Sequence, residues 1–328
     1  MFGRPQLVIL LLLLVAGLVW LRQPSNDQQV RTALIMGTLV EIKASGESEL
    51  LDPAIDAAFA EMTRIEDLFS THRQGSEISQ LSAATGSVKV SVETAELLKQ
   101  GQQIARQSDG AFDLTLGGLK QLWGMETDSP QVPTTELLQQ ALQGTGPEAL
   151  QFDGQQVSKA KPGLQVDLGG IAKGYAVDRA VAILRQAGIL SAAVNAGGDI
   201  GLLGARGDAN PWRIGIQHPR NSGKLLTTLI LSDRAVVTSG DYERFFERDG
   251  IRYHHIFDPR TGYPAGDCQS VTVVALDVAT ADALTTAAFV LGPQLGLKLL
   301  EEVPQVEGLL VAIDGTLYRT SGFSELEL

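Results

Sequence analysis

Asp-Gly pairs separate strand-like segments at three places along the chain, residues 153–154, 249–250 and 314–315. This dipeptide favours two-residue turns that join neighbouring antiparallel strands. Helical patterns of apolar residues alternate with these hairpins, most clearly over 171–186 and 279–291. We therefore expect an α+β fold in which helices cover antiparallel sheets, rather than a doubly wound parallel sheet.

The other elements follow from periodicity and from capping residues. Asp52-Pro53 and Ser91 are typical helix starts, because aspartate and serine cap a helix and proline fits its first turn. We predict further helices over 134–142, 171–186, 279–291 and 294–301. We predict strands over 34–44, 191–195, 213–217, 226–231, 235–238, 252–257, 271–276, 309–313 and 317–319.

Charge and length limit the possible classes of protein. The chain has 328 residues and a formal net charge of −12, from 26 basic and 38 acidic side chains. A nucleic-acid-binding face needs clustered Lys and Arg, so this balance argues against a nucleic-acid partner. Because no low-complexity linker divides residues 30–328, we assign them to one large domain.

The N-terminal region is apolar and uncharged over residues 7–21, and Arg22 closes the run. The run is short for a membrane-spanning helix, which needs roughly 20 residues, and it fits the apolar core of a secretory signal equally well. Residues 19–21 are bulky and offer no small-residue cleavage site, and the run contains no cysteine for a lipoprotein anchor. We predict that residues 1–29 are a signal peptide or signal anchor with a short polar tether, and that the rest of the chain is exported.

Two loops combine paired glycines with an acidic residue. In the first, Gly169-Gly170 follows Asp167 and opens a helix that carries Lys173 in its first turn. Glycine lets the backbone approach a ligand closely, and a helix N-terminus attracts an anion. The second loop spans 195–201 and reads NAGGDIG. Each loop alone is more often an ordinary turn, and the Walker spacing is missing, but together they favour one ligand held by backbone amides.

Asp282 and Thr286 are four residues apart in a predicted helix, so they share one face of it. A carboxylate and a hydroxyl are hard oxygen donors of the kind that Mg²⁺ takes, with water and phosphate oxygens completing its coordination. The alternative is a helix cap beside a threonine, which is common and is preferred on this motif alone.

The densest group of proton-transfer and anion-binding residues is His254-His255 with Asp258 and Arg260, and Arg244 precedes it. Histidine can act as a general base near neutral pH, and arginine pairs with phosphate. Neighbouring strand residues point to opposite faces, so at most one histidine faces the site and a two-histidine zinc site is not expected. The other interpretation is a histidine that simply bonds to a backbone carbonyl within a strand.

These stretches, taken in order, resemble the ApbE family, the FAD:protein FMN transferases. The matching segments are 36–38 (MGT), 69–79 (FSTHRQGSEIS), 110–115 (GAFDLT), 167–178 (DLGGIAKGYAVD), 195–200 (NAGGDI), 238–244 (TSGDYER), 254–262 (HHIFDPRTG) and 281–286 (ADALTT). They span nearly all of residues 34–292, and the complete ordered set is highly specific. Leu114 and Gly118 stand where the family commonly has proline, and Ser82 stands where asparagine is common.

The resemblance implies a single ApbE-like, T-fold-related catalytic domain over 30–328, exported to the periplasmic face of the inner membrane. Membrane contact would be made through the N-terminal segment only. It also implies Mg²⁺-dependent transfer of FMN from FAD to a Thr or Ser hydroxyl of a partner redox protein, through a phosphoester bond and with release of AMP. The alternatives are an FAD pyrophosphatase that yields FMN and AMP, and a non-catalytic exported flavin carrier.

The resemblance further assigns roles to individual residues. Mg²⁺ would be held by the carbonyl of Gly170, by Asp282 and by Thr286, with Thr285 as a weaker ligand. FAD would contact Met36, His72, Ala111, Phe112, Asp113, Asp167, Lys173 and Ile256. His255 is the general base that we expect, and Asp258 is the alternative.

Overall fold

The computed structural model describes residues 26–125 and 127–328. Residues 1–25 of the predicted signal segment lie outside the described residues. Within the described part, one helix, Val278–Glu301, is long and apolar enough to cross a membrane by length and composition. Most of it is buried against the sheet and neighbouring helices, which is how the central helix of a folded core packs.

Helices alternate with strands and hairpins along the chain. The helices are α1 (Ser48–Phe69), α2 (Glu77–Ala83), α3 (Val92–Gln107), α4 (Gly117–Trp123), α5 (Thr135–Leu142), α6 (Ala172–Gln186) and α7 (Val278–Glu301). The strands are β1 (Asn26–Ile35), β2 (Thr38–Glu47), β3 (Val88–Lys89), β4 (Leu150–Asp153), β5 (Gln156–Lys159), β6 (Ser191–Ala196), β7 (Asp199–Leu203), β8 (Trp212–Gln217), β9 (Leu225–Leu231), β10 (Ala235–Gly240), β11 (Phe245–Arg248), β12 (Ile251–His254), β13 (Cys268–Ala275), β14 (Glu307–Ala312) and β15 (Leu317–Arg319).

The main sheet, over the described residues, has eight strands in the order β1-β2-β6-β7-β10-β13-β14-β15. Each neighbouring pair of these strands is antiparallel. Smaller antiparallel sheets are formed by β3-β5-β4, β8-β9 and β11-β12. The predicted α+β class with helix-covered antiparallel sheets is confirmed.

Both faces of the main sheet are covered near its middle. Helices α1, α6 and α7 pack on one face, and the β8–β9 hairpin packs on the other. Trp212 and Leu229 of that hairpin contact the sheet residues Val236 and Val274. Strand β13 is buried along its whole length because it is enclosed from both sides. The turns at the ends of the strands are therefore the parts of the sheet that can meet a ligand.

The Asp-Gly hairpins are confirmed. Asp153 ends β4 and Gly154 begins the turn to β5, Asp249-Gly250 joins β11 to β12, and Asp314-Gly315 lies between β14 and β15. Asp249 and Gly250 have φ angles of 53° and 77°, as a two-residue turn of this kind requires. Ser91 also caps α3 as predicted, because its hydroxyl accepts a hydrogen bond from the Thr94 amide.

The prediction of one strand over 34–44 is wrong. Met36 and Gly37 have φ angles of 53° and 67° and form a tight turn, so β1 and β2 are two strands of a hairpin. Methionine with a positive φ is uncommon, which is why its presence did not indicate a turn at this point. Strand β1 also begins at Asn26, so residues 26–29 of the predicted tether lie in the sheet. Their polar sequence is compatible with an edge strand that has one partner, β2.

Other element boundaries also differ from the predictions. Helix α1 begins at Ser48, so Pro53 lies inside it rather than at its first position; the buried Leu51 extends the apolar face of the helix backwards. Strand β12 ends at His254 because the His254 ring accepts the Ile256 amide, which removes that amide from the strand pairing. The predicted helices 279–291 and 294–301 form one element, α7, that is interrupted at Gly292 (φ 79°) before Pro293.

Candidate functional site

Turns from distant parts of the chain meet at one end of the main sheet. A side chain on Gly197, in the β6–β7 turn, would collide with Thr38 at the start of β2. A side chain on Gly37 would lie 4.0 Å from Nη2 of Arg244 in the loop after β10. The predicted contact residue Met36 is partly buried in this turn and packs against the core. The glycine-containing turns thus form one surface with the Arg244 loop.

A buried cluster of two carboxylates and one lysine lies beside these turns. Lys173, in the first turn of α6, donates to Oδ1 of Asp199 at 2.6 Å. Asp199 is 1% exposed, and its Oδ2 atom is buried without a hydrogen-bond partner among the described residues. Burial raises the pKa of Asp282 well above its ordinary value, and the charge of Asp199 raises it further while Lys173 opposes the shift. The cluster therefore has more negative charge than Lys173 alone neutralises.

The predicted metal residues converge from two helices. Asp282 accepts a hydrogen bond from the Gly174 amide at 3.2 Å, which joins α7 to α6. A side chain on Gly170 would lie 3.3 Å from Oγ1 of Thr286 and 3.0 Å from the ring of Phe112, so the backbone at Gly170 lies directly against Thr286. The Asp282 carboxylate and the Thr286 hydroxyl thus lie near the Gly170 backbone at the N-terminal end of α6.

These oxygens fit a hard divalent cation. In the described part of the chain, no group of three or more His, Cys, Asp or Glu side chains could hold a metal ion by itself. A metal at this position would depend on mixed oxygen donors, which is the chemistry of Mg²⁺ rather than of zinc. Burial and the neighbouring Asp199 both raise the pKa of Asp282, and a bound cation would oppose this shift. The candidate ligands are Asp282, Thr286 and the Gly170 carbonyl.

Thr285 is placed differently from Thr286. It is fully buried, its hydroxyl donates to the Asp282 carbonyl at 2.7 Å, and it accepts from the Ser239 hydroxyl at 3.1 Å. These bonds tie α7 to β10 and use most of the hydrogen-bonding capacity of the hydroxyl. Thr285 is therefore better suited to holding the helix than to binding a cation.

A second charged group surrounds Asp167. Lys120 of α4 bonds to the Asp167 carboxylate, and the Gly169 amide donates to the same oxygen at 2.8 Å. Burial raises the pKa of Asp167, but Lys120 and the Gly169 amide outweigh it, so that the pKa lies below the ordinary value. The predicted contact residue His72 is exposed and acts on Asp167 in the same direction as Lys120. Asp167 is thus a stable anion next to the first glycine loop.

The GAFDLT stretch, residues 110–115, packs against the first glycine loop. Phe112 is 3% exposed and Ala111 is 4% exposed, so both belong to the core, with Phe112 against Gly170. Asp113 accepts from the Thr115 amide at 2.8 Å and from the Thr115 hydroxyl at 2.6 Å. Its other oxygen, Oδ2, is buried without a partner among the described residues, and burial raises the pKa of Asp113.

The two neighbouring histidines have different surroundings. His254 is buried; its Nε2 bonds to the Ala265 carbonyl at 2.8 Å and its Nδ1 accepts the Ile256 amide at 3.2 Å. The interpretation of one histidine as a satisfied structural residue therefore holds for His254. His255 is half-buried, and its Nδ1 lies 3.3 Å from the Arg244 carbonyl.

The electrostatic environment of His255 keeps its ring neutral. Desolvation, followed by the charges of Lys120 and Arg244, lowers the pKa of His255 to about 3. Because Lys120 also binds Asp167, His255 and the first glycine loop face a common space. The predicted contact Ile256 follows directly and is 5% exposed, so its side chain is mostly core.

Asp258, the alternative base, is engaged in the turn that follows. Arg260 contacts both of its carboxylate oxygens, at 2.8 and 2.9 Å, and the Arg260 amide donates to it at 2.9 Å. Both carboxylate oxygens of Asp258 are thus already bonded to Arg260, so the geometry favours His255 as the base.

Several site residues were missed by the sequence interpretation. Asp199 was treated only as a turn residue, although it is the partner of Lys173. Lys120 and Ser239 received no role, yet one binds Asp167 and the other binds Thr285. Glu243 was also missed; burial raises its pKa, and Lys173 and Arg244 counteract the shift, which places it beside the same cluster. The NAGGDI and TSGDYER stretches contained the sequence signal for Asp199, Ser239 and Glu243.

The fold and the site define an α+β protein with an anionic, oxygen-rich centre between two helix N-termini. The sequence model of the ApbE family matches residues 36–310. The chain belongs to the ApbE family.

Curated relatives and solved structures agree with this assignment. The FAD:protein FMN transferase of Treponema pallidum (strain Nichols) is 36% identical over 313 residues, covering 89% of this chain and 86% of the relative. The FAD:protein FMN transferase of Vibrio cholerae is 38% identical over 301 residues, covering 88% of both. The crystal structure of the ApbE protein from Thermotoga maritima superposes with a TM-score of 0.85 at 38% identity, over 92% of this chain and 100% of that one. The flavin transferase ApbE from Vibrio cholerae superposes with a TM-score of 0.83 at 33% identity, over 92% and 99%.

Proposed function

We propose that this protein transfers FMN from FAD to a threonine or serine hydroxyl of a partner redox protein, with Mg²⁺ as the required ion and AMP as the product. The observation that carries the proposal is the convergence of Asp282, Thr286 and the Gly170 backbone beside the Lys173–Asp199 pair. Oxygen ligands suited to a divalent cation, next to a lysine, would suit a pyrophosphate. That the pyrophosphate belongs to FAD is inferred from the names of the relatives, FAD:protein FMN transferases.

The reaction needs one bond to form and one to break. The acceptor hydroxyl oxygen bonds to the phosphorus of the FMN half, the bridging P–O bond breaks, and AMP leaves with that bridging oxygen. Catalysis of such a transfer consists mostly of positioning and of stabilising charge on phosphoryl oxygens. Bound Mg²⁺ would neutralise part of that charge, held by Asp282, Thr286 and the Gly170 carbonyl. Lys173 and the amides at the start of α6 add further positive potential.

His255 is the group that accepts the proton of the acceptor hydroxyl in this proposal. Its lowered pKa, about 3, leaves the ring neutral, so that a nitrogen lone pair is available while the hydroxyl proton is transferred, and it makes the protonated ring release that proton readily. The contact of Nδ1 with the Arg244 carbonyl places the ring proton on Nδ1, so that Nε2 carries the free lone pair. Once protonated, the ring can pass the proton to solvent.

FAD binding is proposed to follow the assignments made by resemblance. Lys173, Asp167 and His72 lie around the first glycine loop and would contact polar parts of the dinucleotide. Met36 lies in the β1–β2 turn, in which the neighbouring Gly37 approaches Arg244. Ala111, Phe112, Asp113 and Ile256 are largely buried, so their contribution would come from backbone groups and from shaping the loop rather than from broad side-chain contact.

An in vitro assay tests the proposal. Purified protein is incubated with FAD and Mg²⁺, with and without an exported redox protein that has an exposed threonine, and free FMN, AMP and protein-bound flavin are measured. We expect AMP release that needs both Mg²⁺ and the acceptor, and flavin that stays on the acceptor after denaturation. Stoichiometric free FMN without any acceptor would instead identify a pyrophosphatase. FAD that remains intact in Mg²⁺ in both arms would identify a carrier.

We also propose that the enzyme is exported and works at the periplasmic face of the inner membrane. The support is the apolar run at residues 7–21, which is followed closely by strand β1 from Asn26. In cell fractionation, the full-length protein should be found with the membranes. Protease added to spheroplasts should then digest it. Protection from the protease would contradict export.

A further inference from the structure

Two carboxylates cross the interface between α6 and α7 in opposite directions. Asp178, in the second turn of α6, accepts the Val278 amide at 2.8 Å and the Ala279 amide at 2.9 Å, which are the first amides of α7. Asp282, in the second turn of α7, accepts the Gly174 amide in the first turn of α6 at 3.2 Å. Each helix start is therefore held by a side chain of the other helix.

The two helix starts are also in direct backbone contact. A side chain on Gly174 would lie 2.5 Å from the Val278 carbonyl oxygen and 2.9 Å from the Cα of Ala279. The spacing of the helices there is therefore set by backbone packing and by the two carboxylates. The candidate metal ligands lie on both sides of this contact, with Gly170 before α6 and Asp282 and Thr286 on α7.

Asp178 is not needed simply to cap α7. Asp277 is the N-cap of that helix, and its side chain accepts the Thr280 amide at 2.8 Å. Burial raises the pKa of Asp178 to about 7; the two amide bonds work against this shift, and Asp277 adds to it. A carboxylate kept in such a position at an electrostatic cost, and beyond what capping requires, points to a role between the helices.

We propose that Asp178 is a positioning residue that fixes α7 against α6 and thereby holds Asp282 and Thr286 at the distance from Gly170 that a divalent cation needs. It acts through the Val278 and Ala279 amides and touches neither substrate nor metal. The contact of Asp178 with the start of α7 follows from the geometry alone, whereas its effect on metal binding rests on the proposed function. Residues that orient metal ligands in this way typically contribute about 10–100-fold to metal affinity.

The test compares Asp178→Ala and Asp178→Asn with Asp277→Asn, which neutralises the neighbouring carboxylate and keeps a good capping side chain. The first readout is amide hydrogen exchange without FAD or metal. We expect Asp178→Ala to speed exchange in the peptide that contains Val278 and Ala279, and also in the peptide that contains Gly174. The Asp277 side chain caps α7 from within its own segment, so Asp277→Asn should leave the Gly174 peptide at the wild-type rate.

The second readout is Mn²⁺ binding to the FAD-bound protein, followed by electron paramagnetic resonance. We expect the dissociation constant to rise about tenfold or more in Asp178→Ala, by less in Asp178→Asn, which keeps one acceptor oxygen, and not at all in Asp277→Asn. If Asp178→Ala does not fold, Asp178→Asn carries the test alone.

The outcomes separate the two claims. Wild-type Mn²⁺ affinity in Asp178→Ala, or unchanged exchange at Gly174, overturns the positioning role while leaving the proposed function intact. If Asp277→Asn weakens Mn²⁺ binding as much as Asp178→Ala does, the positioning role is also overturned, because any change at the start of α7 would then explain the loss of affinity. A wild-type protein that binds no Mn²⁺ overturns the proposed function and the effect of Asp178 on metal binding together. The exchange data then decide whether Asp178 fixes α7 against α6.

Discussion

Asp282 lies in a buried environment that disfavours its charge. Asp199 is its neighbour, and burial with that neighbour raises the pKa of Asp282 well above its ordinary value. Because burial and Asp199 disfavour the charged form of Asp282, replacing the carboxyl by a neutral amide of the same shape should cost little stability.

The substitution Asp282→Asn should therefore separate activity from stability. We expect loss of Mg²⁺-dependent FMN transfer, because the charged metal ligand is gone, together with an unfolding midpoint that is equal to or above that of the wild type. Transfer is measured by flavin bound to the acceptor, and stability by thermal denaturation without metal. Full transfer in the variant would remove Asp282 from the metal site.

His255→Gln tests the general base. The half-buried amide keeps much of the shape of the ring but cannot accept a proton, so we expect transfer to slow by about 10²–10⁴-fold while FAD binding is retained. Rates are measured by single turnover, and binding by flavin fluorescence. Asp258→Asn is the comparison, because Asp258 is the alternative base, and we expect its transfer rate to fall far less than that of His255→Gln. An unchanged rate in His255→Gln would exclude it as the base.

The protonation state of His255 can be checked directly. Because desolvation with Lys120 and Arg244 lowers its pKa from 6.5 to about 3, the free enzyme should contain a ring that stays neutral through the physiological range. Nuclear magnetic resonance of histidine-labelled protein, assigned with His255→Gln, should show no midpoint for this ring above about pH 5. A midpoint near the ordinary histidine pKa would show that the ring is hydrated and not shielded by its neighbours.

At the scale of elements, the contact between α6 and α7 determines the site. Gly174 has no room for a side chain, and the atoms it would meet belong to backbone that cannot rotate away. We expect Gly174→Ala to lower the free energy of unfolding by about 1–3 kcal/mol, as overpacking does, and to weaken metal binding as well. In α4, Gly118→Ala is a matched control, since its nearest neighbour would be 4.0 Å away. Urea unfolding gives both free energies, and equal stability of the two variants would contradict the close packing.

A second set of contacts holds α6 against α1 and α3. Glu61 of α1 bonds to Arg64 at 2.8 Å and to Arg179 of α6 at 3.0 Å, and Glu93 of α3 bonds to Arg64 and to the Tyr175 hydroxyl. This ion-pair network joins α1, α3 and α6. Networks of partly buried charges contribute more than isolated surface pairs do.

The network predicts a pH dependence of stability. The hydrogen bond from Arg64, opposed by burial and assisted by Arg179, lowers the pKa of Glu61 from 4.5 to about 2. Since the folded pKa is below the unfolded one, this stabilisation is present above pH 4.5 and is lost as the pH falls toward 2. In Glu61→Gln, the unfolding midpoint should fall less steeply over that interval than in the wild type. Glu96→Gln, exposed on α3, controls for loss of one carboxylate, and identical slopes in Glu61→Gln and wild type would contradict the assignment.

At the scale of the whole molecule, the site is made by topology. Gly174 and Asp282 are 108 residues apart in sequence, and Lys120 and Asp167 are 47 apart. The antiparallel sheet brings the β1–β2 and β6–β7 turns to the same end, and α6 and α7 present their first turns to that end. Each contributes a few groups, and no single segment of the described chain contains the complete centre.

Local chemistry explains which parts of this arrangement were predictable. Asp-Gly turns and the Ser91 cap depend on neighbouring residues only, so the sequence predicts them correctly. The Met36 turn was missed because methionine seldom adopts a positive φ, and Pro53 was misplaced because burial of Leu51 overrides its local preference. The pairing of Lys173 with Asp199 depends on the fold, which no local pattern records.

The central claim is that the protein joins FMN covalently to a hydroxyl of another protein. Cells that express the wild-type chain or Asp282→Asn are compared by mass spectrometry of flavin-containing peptides. The account predicts threonine or serine peptides that gain the mass of FMN less one water, in wild-type cells and not in the variant. The account would be contradicted if wild-type cells contained no flavin-modified peptides and free FMN formed from FAD at the same rate with and without acceptor protein.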